Sequence, residues 1–234
     1  MQFIEKNSFN VRSAVYHLKK ENDGLEFILF PMIHVGSKEF YYEVSQRLAR
    51  CDVILVEGVT SRNVQLLTLS YRVVKRIRRM ALVTQNDGLD FSGLQRKIIK
   101  ADIEGSVFDR RWSTLPIVFR AQLLFLLPFY VAWLFLFGSR ERIAKEIALD
   151  DLPSSKEVLY RSDDIDKMNA VLLDKRDQKL IQHVERLRAA NGTAEKTVGI
   201  LYGAMHMRNV SNFLLDDLKY SVEKAEWVKV FDLL

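Results

Sequence analysis

The chain has 234 residues, a formal net charge of +5 and 48% hydrophobic against 28% charged residues, enough for one domain with a substantial core or at most two small ones. Ten Gly and four Pro, with apolar residues spread along the whole length, exclude collagen-like, low-complexity and globally disordered chains. Cys51 has no second cysteine to pair with, so an intrachain disulfide framework and a multi-cysteine zinc site are both excluded, and a reducing compartment is expected.

Met1 to Lys6 turns to charge before an apolar segment can develop, so no secretory signal is expected and the reading is cytoplasmic. Ser13 to Lys19 reads as a strand. Glu21-Asn22-Asp23-Gly24 reads as a turn with Gly24 available for positive φ, and Leu25 to Ile33 as a buried strand. From Gly36 to Arg50 the residues Phe40, Tyr41, Val44 and Leu48 recur at helical spacing, with Ser37 as N-cap. Asp52 to Val59 is a second apolar strand. A strand, a helix and a strand in this order make a right-handed parallel crossover, which predicts that the two strands are neighbours.

Farther along, Arg62 to Met80 reads as a basic amphipathic helix, and Ala121 to Gly138 is the most apolar run in the chain. Asp163 to Ala190 has helical periodicity, Thr197 to Tyr202 is a buried strand, Arg208 to Tyr220 an amphipathic helix and Glu226 to Leu234 a last strand. The predicted architecture is α/β: a mixed, mostly parallel sheet flanked by helices, forming one domain over residues 1–234. A helical, basic and apolar insertion over 61–150 interrupts it.

Two strands run into histidines. Leu25–Ile33 ends at His34, and TVGILY leads into Gly203-Ala204-Met205-His206, while Asp52–Val59 carries Glu57 near its end. Sites in open parallel sheets collect at the carboxyl ends of strands, so these three side chains are expected to converge. Gly203, three residues ahead of His206, allows a tight turn and a close approach; the first corner has Pro31 in that place. Two imidazoles and a carboxylate could ligate a divalent metal with open positions, or pair a base with an acid, and the residues leave both open. In Leu173-Asp174-Lys175-Arg176-Asp177, Arg176 and Asp177 fall at the margins of an apolar stripe of Leu173, Leu180, Val184 and Leu187. Arg176 from there could reach inward and hold an oxyanion. His17 reads as an exposed residue of an edge strand, and His183 as a solvated helix residue.

His34-Val35-Gly36 with Phe40-Tyr41, then Asp52 to Val59, then Lys175-Arg176-Asp177, then Gly203 to Met207 resemble, in order and spacing, the TraB/PrgY/GumN family, which also contains the Tiki proteases. The similarity covers Leu25–Val59 and Asp163–Leu215. The resemblance implies a fold related to the erythromycin-esterase and ChaN-like proteins and a functional set of His34, Glu57, Arg176 and His206. It implies hydrolysis of a peptide or small ester, either with a divalent metal (manganese or cobalt) on His34, Glu57 and His206 or with a histidine base and no metal. No organic cofactor is expected. The alternative reading is a non-catalytic, membrane-associated peptide-binding protein of the pheromone-shutdown type.

The positive charge is local. Residues 61–145 hold 15 Lys and Arg against 6 Asp and Glu, and the remainder 20 against 24. The apolar run inside this segment falls near the ~20 residues that a spanning helix needs, but a single span would separate the two halves of the α/β domain. A buried helix, a homodimer interface and a hairpin dipping into one leaflet remain. Contact of 61–145 with the inner face of a membrane is the preferred reading. Nucleic acid ranks below it, because no binding motif accompanies the charge.

Overall fold

The computed structural model describes residues 1–58, 61–67, 73, 76–77, 80–151, 173–191 and 194–234. Most of the basic stretch over residues 68–79, the end of the second predicted strand and residues 163–172 of the predicted long helix lie outside them. In chain order the elements are β1 (Ile4–Lys6), β2 (Asn10–Lys19), β3 (Leu25–Met32), β4 (Val35–Gly36), α1 (Lys38–Leu48), β5 (Val53–Val56), α2 (Arg62–Leu67), β6 (Val83–Thr84), α3 (Gln85–Gly88), β7 (Ile98–Lys100), α4 (Gly105–Thr114), α5 (Ile117–Phe137), α6 (Arg140–Asp151), α7 (Lys175–Asn191), β8 (Lys196–Gly203), α8 (Ala204–Asn212) and β9 (Ser221–Asp232).

Among the described residues, seven strands form one mixed sheet in the order β9-β2-β3-β8-β5-β7, with β1 sharing one edge of β2 with β3. The four strands β3, β8, β5 and β7 are parallel, so the α/β class read from the sequence holds. Strands buried on both faces read as continuous apolar runs, and β3 and β8 do so, each with its last six residues buried. α1 starts where expected: Ser37 Oγ accepts the Phe40 N–H at 3.1 Å, and Phe40, Tyr41, Val44 and Leu48 form its buried face.

Several expectations are corrected. β3 and β5 are not neighbours, because β8 lies between them and bonds to both. A wholly apolar strand gains most in the centre of a sheet, and the crossover rule does not forbid a later strand from entering the gap. The segment 61–150 is not only helical, since it supplies β7 to the edge of the main sheet beside β5. Asn22, not Gly24, takes the positive φ of the first turn, at 60°. The last helix starts at Ala204 rather than Arg208, so His206 lies in its first turn. β2 is covered by β9 and is no edge strand; His17 is partly buried there, its Nδ1 2.7 Å from Glu26 Oε1.

α5 differs from every other long element. It runs 21 residues, and its most apolar 18-residue window has a mean hydropathy of 1.8 with only 6% of it buried. This removes the buried-core reading of the apolar run. Leu134 is its one fully buried residue. Phe119 and Leu123, near its start, pack on a small satellite core of Phe108, Trp112 and Leu115.

Candidate functional site at the carboxyl edge of the parallel strands

The register of the sheet makes the site. Met32 pairs with Gly203, Val56 with Leu201 and Val56 with Lys100, so four parallel strands end along one edge. His34 follows β3 by two residues, Glu57 follows β5 by one, Asp102 follows β7 by two and His206 follows β8 by three. α7 crosses this edge with Leu180 and Val184 in the core, which carries Arg176 and Asp177 inward from the margins of its stripe.

Glu57 is the hub. Its Oε1 accepts from Arg176 Nη2, and its Oε2 accepts the Gly203 N–H at 2.7 Å. Burial drives its pKa upward, but Arg176 first, then His206, His34 and the Gly203 N–H outweigh that and hold it at about 2. Arg176 also grips Asp102 side-on, with Nε donating to Oδ1 at 3.0 Å and Nη2 to Oδ2 at 2.8 Å. Burial alone would lower the Arg176 pKa; Glu57 and Asp102 raise it above its ordinary value. Asp102, whose side chain is 1% exposed, accepts further from the N–H groups of Gly58 at 3.0 Å and Ile103 at 2.8 Å. A buried carboxylate persists when its lone pairs are met in this way.

His206 is held on three sides. Its Nδ1–H donates to Asp177 Oδ1, and Asn209 Nδ2 donates to Asp177 Oδ2. The Tyr202 ring meets the imidazole edge-on at 5.5 Å between centroids, and the Tyr202 hydroxyl is fixed on Ala101 O at 2.6 Å. With Nδ1 committed as a donor, the neutral form of the ring has its lone pair on Nε2. It points toward Glu57 Oε1 at 3.9 Å, too far for a direct hydrogen bond.

His34 shares this field. Desolvation lowers its pKa most, Glu57 raises it, and Arg176 and His206 lower it further. The residue is nonetheless exposed to solvent. The two histidine corners do not mirror each other. β8 passes directly into α8, whereas after His34 the two-residue β4 pairs with β6 before Ser37 caps α1. The His34 backbone carbonyl accepts the Gln85 N–H at 2.9 Å, which fixes that corner in another way. His183 bonds through Nδ1 to Lys179 O of its own helix at 2.8 Å.

Gly203 works by closeness rather than by positive φ, since its φ is −53°. A Cβ placed there would lie 3.2 Å from Glu57 Oε2, in the space that the N–H to carboxylate bond needs. Glu57, Arg176 and His206 thus meet at this edge, and His34 lies within their electrostatic field. Asp102 was not anticipated, because it follows a three-residue strand whose pattern is too short to read. Asp177 was legible as an inward-facing margin residue, but its pairing with His206 was not.

The expected metal donors His34, Glu57 and His206 do not fit a metal centre in this arrangement. Both Glu57 oxygens already accept a hydrogen bond, one of them from a guanidinium whose positive charge opposes a cation at the same carboxylate. Among the described residues, no three His, Cys, Asp or Glu side chains are grouped as metal ligands.

The fold and site define an α/β protein with a buried ionic cluster and an oriented imidazole at the carboxyl edge of its parallel strands. Comparisons with models of known protein families, with curated proteins and with solved structures find no match.

Proposed function

We propose that the protein is a TraB/Tiki-like hydrolase that acts on a peptide or small ester through His206 as general base. The observation that carries this reading is the Asp177–His206 pair: a buried carboxylate fixes the tautomer and leaves Nε2 facing the Glu57–Arg176 pair across a gap longer than a hydrogen bond. A base oriented by an acid is the arrangement that activates water or a hydroxyl nucleophile. Asp177 is a positioning residue in this scheme. Arg176 holds Glu57 ionised beside the base, and the exposed His34 flanks the mouth as a second proton carrier.

The test is turnover of a panel of short peptides and nitrophenyl esters. Asp177→Asn should lower kcat by on the order of 10²–10⁴ with little change in KM and should displace the acid limb of the pH–rate profile. Activity should survive a chelator. Full activity in Asp177→Asn would sink the base assignment, and loss in chelator with recovery on manganese would restore the metal-dependent version.

A second reading, a non-catalytic peptide-binding protein, is favoured by the first corner, where Pro31 replaces the glycine and β4 separates His34 from α1. It predicts peptide binding without turnover that persists in Glu57→Gln.

A further inference from the structure

The exposed surface of α5 has a defined geometry. Phe119, Leu123, Leu127, Val131 and Leu134 are its least exposed apolar residues, and at 3.6 residues per turn they make a stripe roughly 120° wide that faces the protein. Beyond it, Phe125, Leu126, Phe129, Trp133, Phe135 and Phe137 are all exposed and spread over roughly 200° of the helix circumference. The outward side of a helix resting on a soluble protein is ordinarily polar. Here it is aromatic and aliphatic apart from exposed Gln122.

The width of that arc identifies the occupant. A packing partner meets a stripe of about 100°, so a second copy of this chain would leave half of the arc in water. A fluid apolar phase covers any arc. Exposed cations flank both ends: Arg110 precedes α5, and Arg142 and Lys145 follow it, with exposed Glu141 paired to Lys145 at 2.9 Å. Arg142 lies over the Trp133 ring at 5.2 Å, the pairing of cation and indole suited to a headgroup boundary.

Topology decides the mode. β8 and β9, from beyond α5, are interleaved with β2, β3 and β5 from before it, so both halves of the chain lie on one side. Arg140, three residues past the end of α5, donates to Met80 O at 2.6 Å and to Asp232 O at 3.2 Å, which ties that end to the α/β domain. Both cationic ends are therefore presented to the same leaflet.

We propose that α5 embeds in one leaflet of an anionic bilayer, lying along it with the Phe125–Phe129 side in the acyl region and the α/β domain wholly on one side. The inference stands on α5 alone and is independent of what the site does.

The test is flotation of the full chain with vesicles of phosphatidylcholine and phosphatidylglycerol in a roughly three-to-one mixture. The wild-type protein should float, and less of it should float with phosphatidylcholine alone. The triple variant Phe125→Gln, Phe129→Gln, Phe135→Gln should float about tenfold less while keeping the circular dichroism of the wild type. Protease added outside should reach tags at both termini of the bound protein. Three results would overturn the proposal: wild-type protein that stays at the bottom, protection of one terminus as for a crossing helix, or a lipid-independent dimer that the triple variant dissolves. Where the variant fails to fold, wild-type flotation and the terminus assay still decide.

Discussion

Arg176 and Asp102 are 74 positions apart and meet side-on through two nearly parallel bonds, Nε to Oδ1 at 3.0 Å and Nη2 to Oδ2 at 2.8 Å. The same Nη2 reaches Glu57, so one guanidinium joins the ends of β5 and β7 to α7. A planar fork matches a carboxylate in a way that an ammonium cannot. The pair makes Asp102 structural in service of Glu57: it positions the cation that keeps the central carboxylate ionised.

Removal of that cation should be costly. Arg176→Met leaves buried Asp102 and partly buried Glu57 without their shared partner, and the expected loss is about 3–5 kcal/mol of folding free energy. Thermal or urea denaturation measures it. Wild-type stability in this variant would mean that the cluster is not buried in solution.

Gly203→Ala tests the close approach. The added methyl would sit 3.2 Å from Glu57 Oε2, so the carboxylate must shift and the 2.7 Å bond from the Gly203 N–H lengthens. The expected outcome is a loss of about 1–3 kcal/mol, the range for overpacking a filled site, together with reduced turnover. An alanine variant indistinguishable from wild type in both measurements would show that β8 has slack at this edge.

His34 should titrate below the ordinary imidazole value of 6.5. Its ring proton signals in NMR give the midpoint directly. Glu57→Gln removes the charge that raises the pKa, so the midpoint should fall further; Arg176→Gln removes a charge that lowers it, so the midpoint should rise. The sign for stability follows from the same shift. With the folded pKa below the unfolded one, the contribution of neutral His34 is complete above 6.5 and is lost as pH falls through the folded value. Midpoints that move the opposite way would place His34 outside the field of the Glu57–Arg176 pair.

Strand ends were the legible part of the site. His34, Glu57 and His206 each follow an apolar run of four to eight residues, and alternation or continuity of apolar residues is a local signal. Arg176 was legible from helical periodicity for the same reason. Asp102 was hidden because β7 is three residues long and only partly buried, and its neighbours give no period. The difference between the two histidine corners was not legible, since the pairing of β4 with β6 depends on residues 83 and 84, far from His34 in the chain.

The amino-acid sequence by itself determined the α/β class, the apolar strands, the Ser37 cap and the expected side chains at the strand ends, because each depends on residues within a few positions of one another. Tertiary structure alone decided that β8 enters between β3 and β5, that Asp177 and Asp102 orient His206 and Arg176, and that α5 lies outside the core. Those outcomes depend on contacts between residues tens to more than a hundred positions apart, where burial of whole strands and pairing of buried charges outweigh any local pattern.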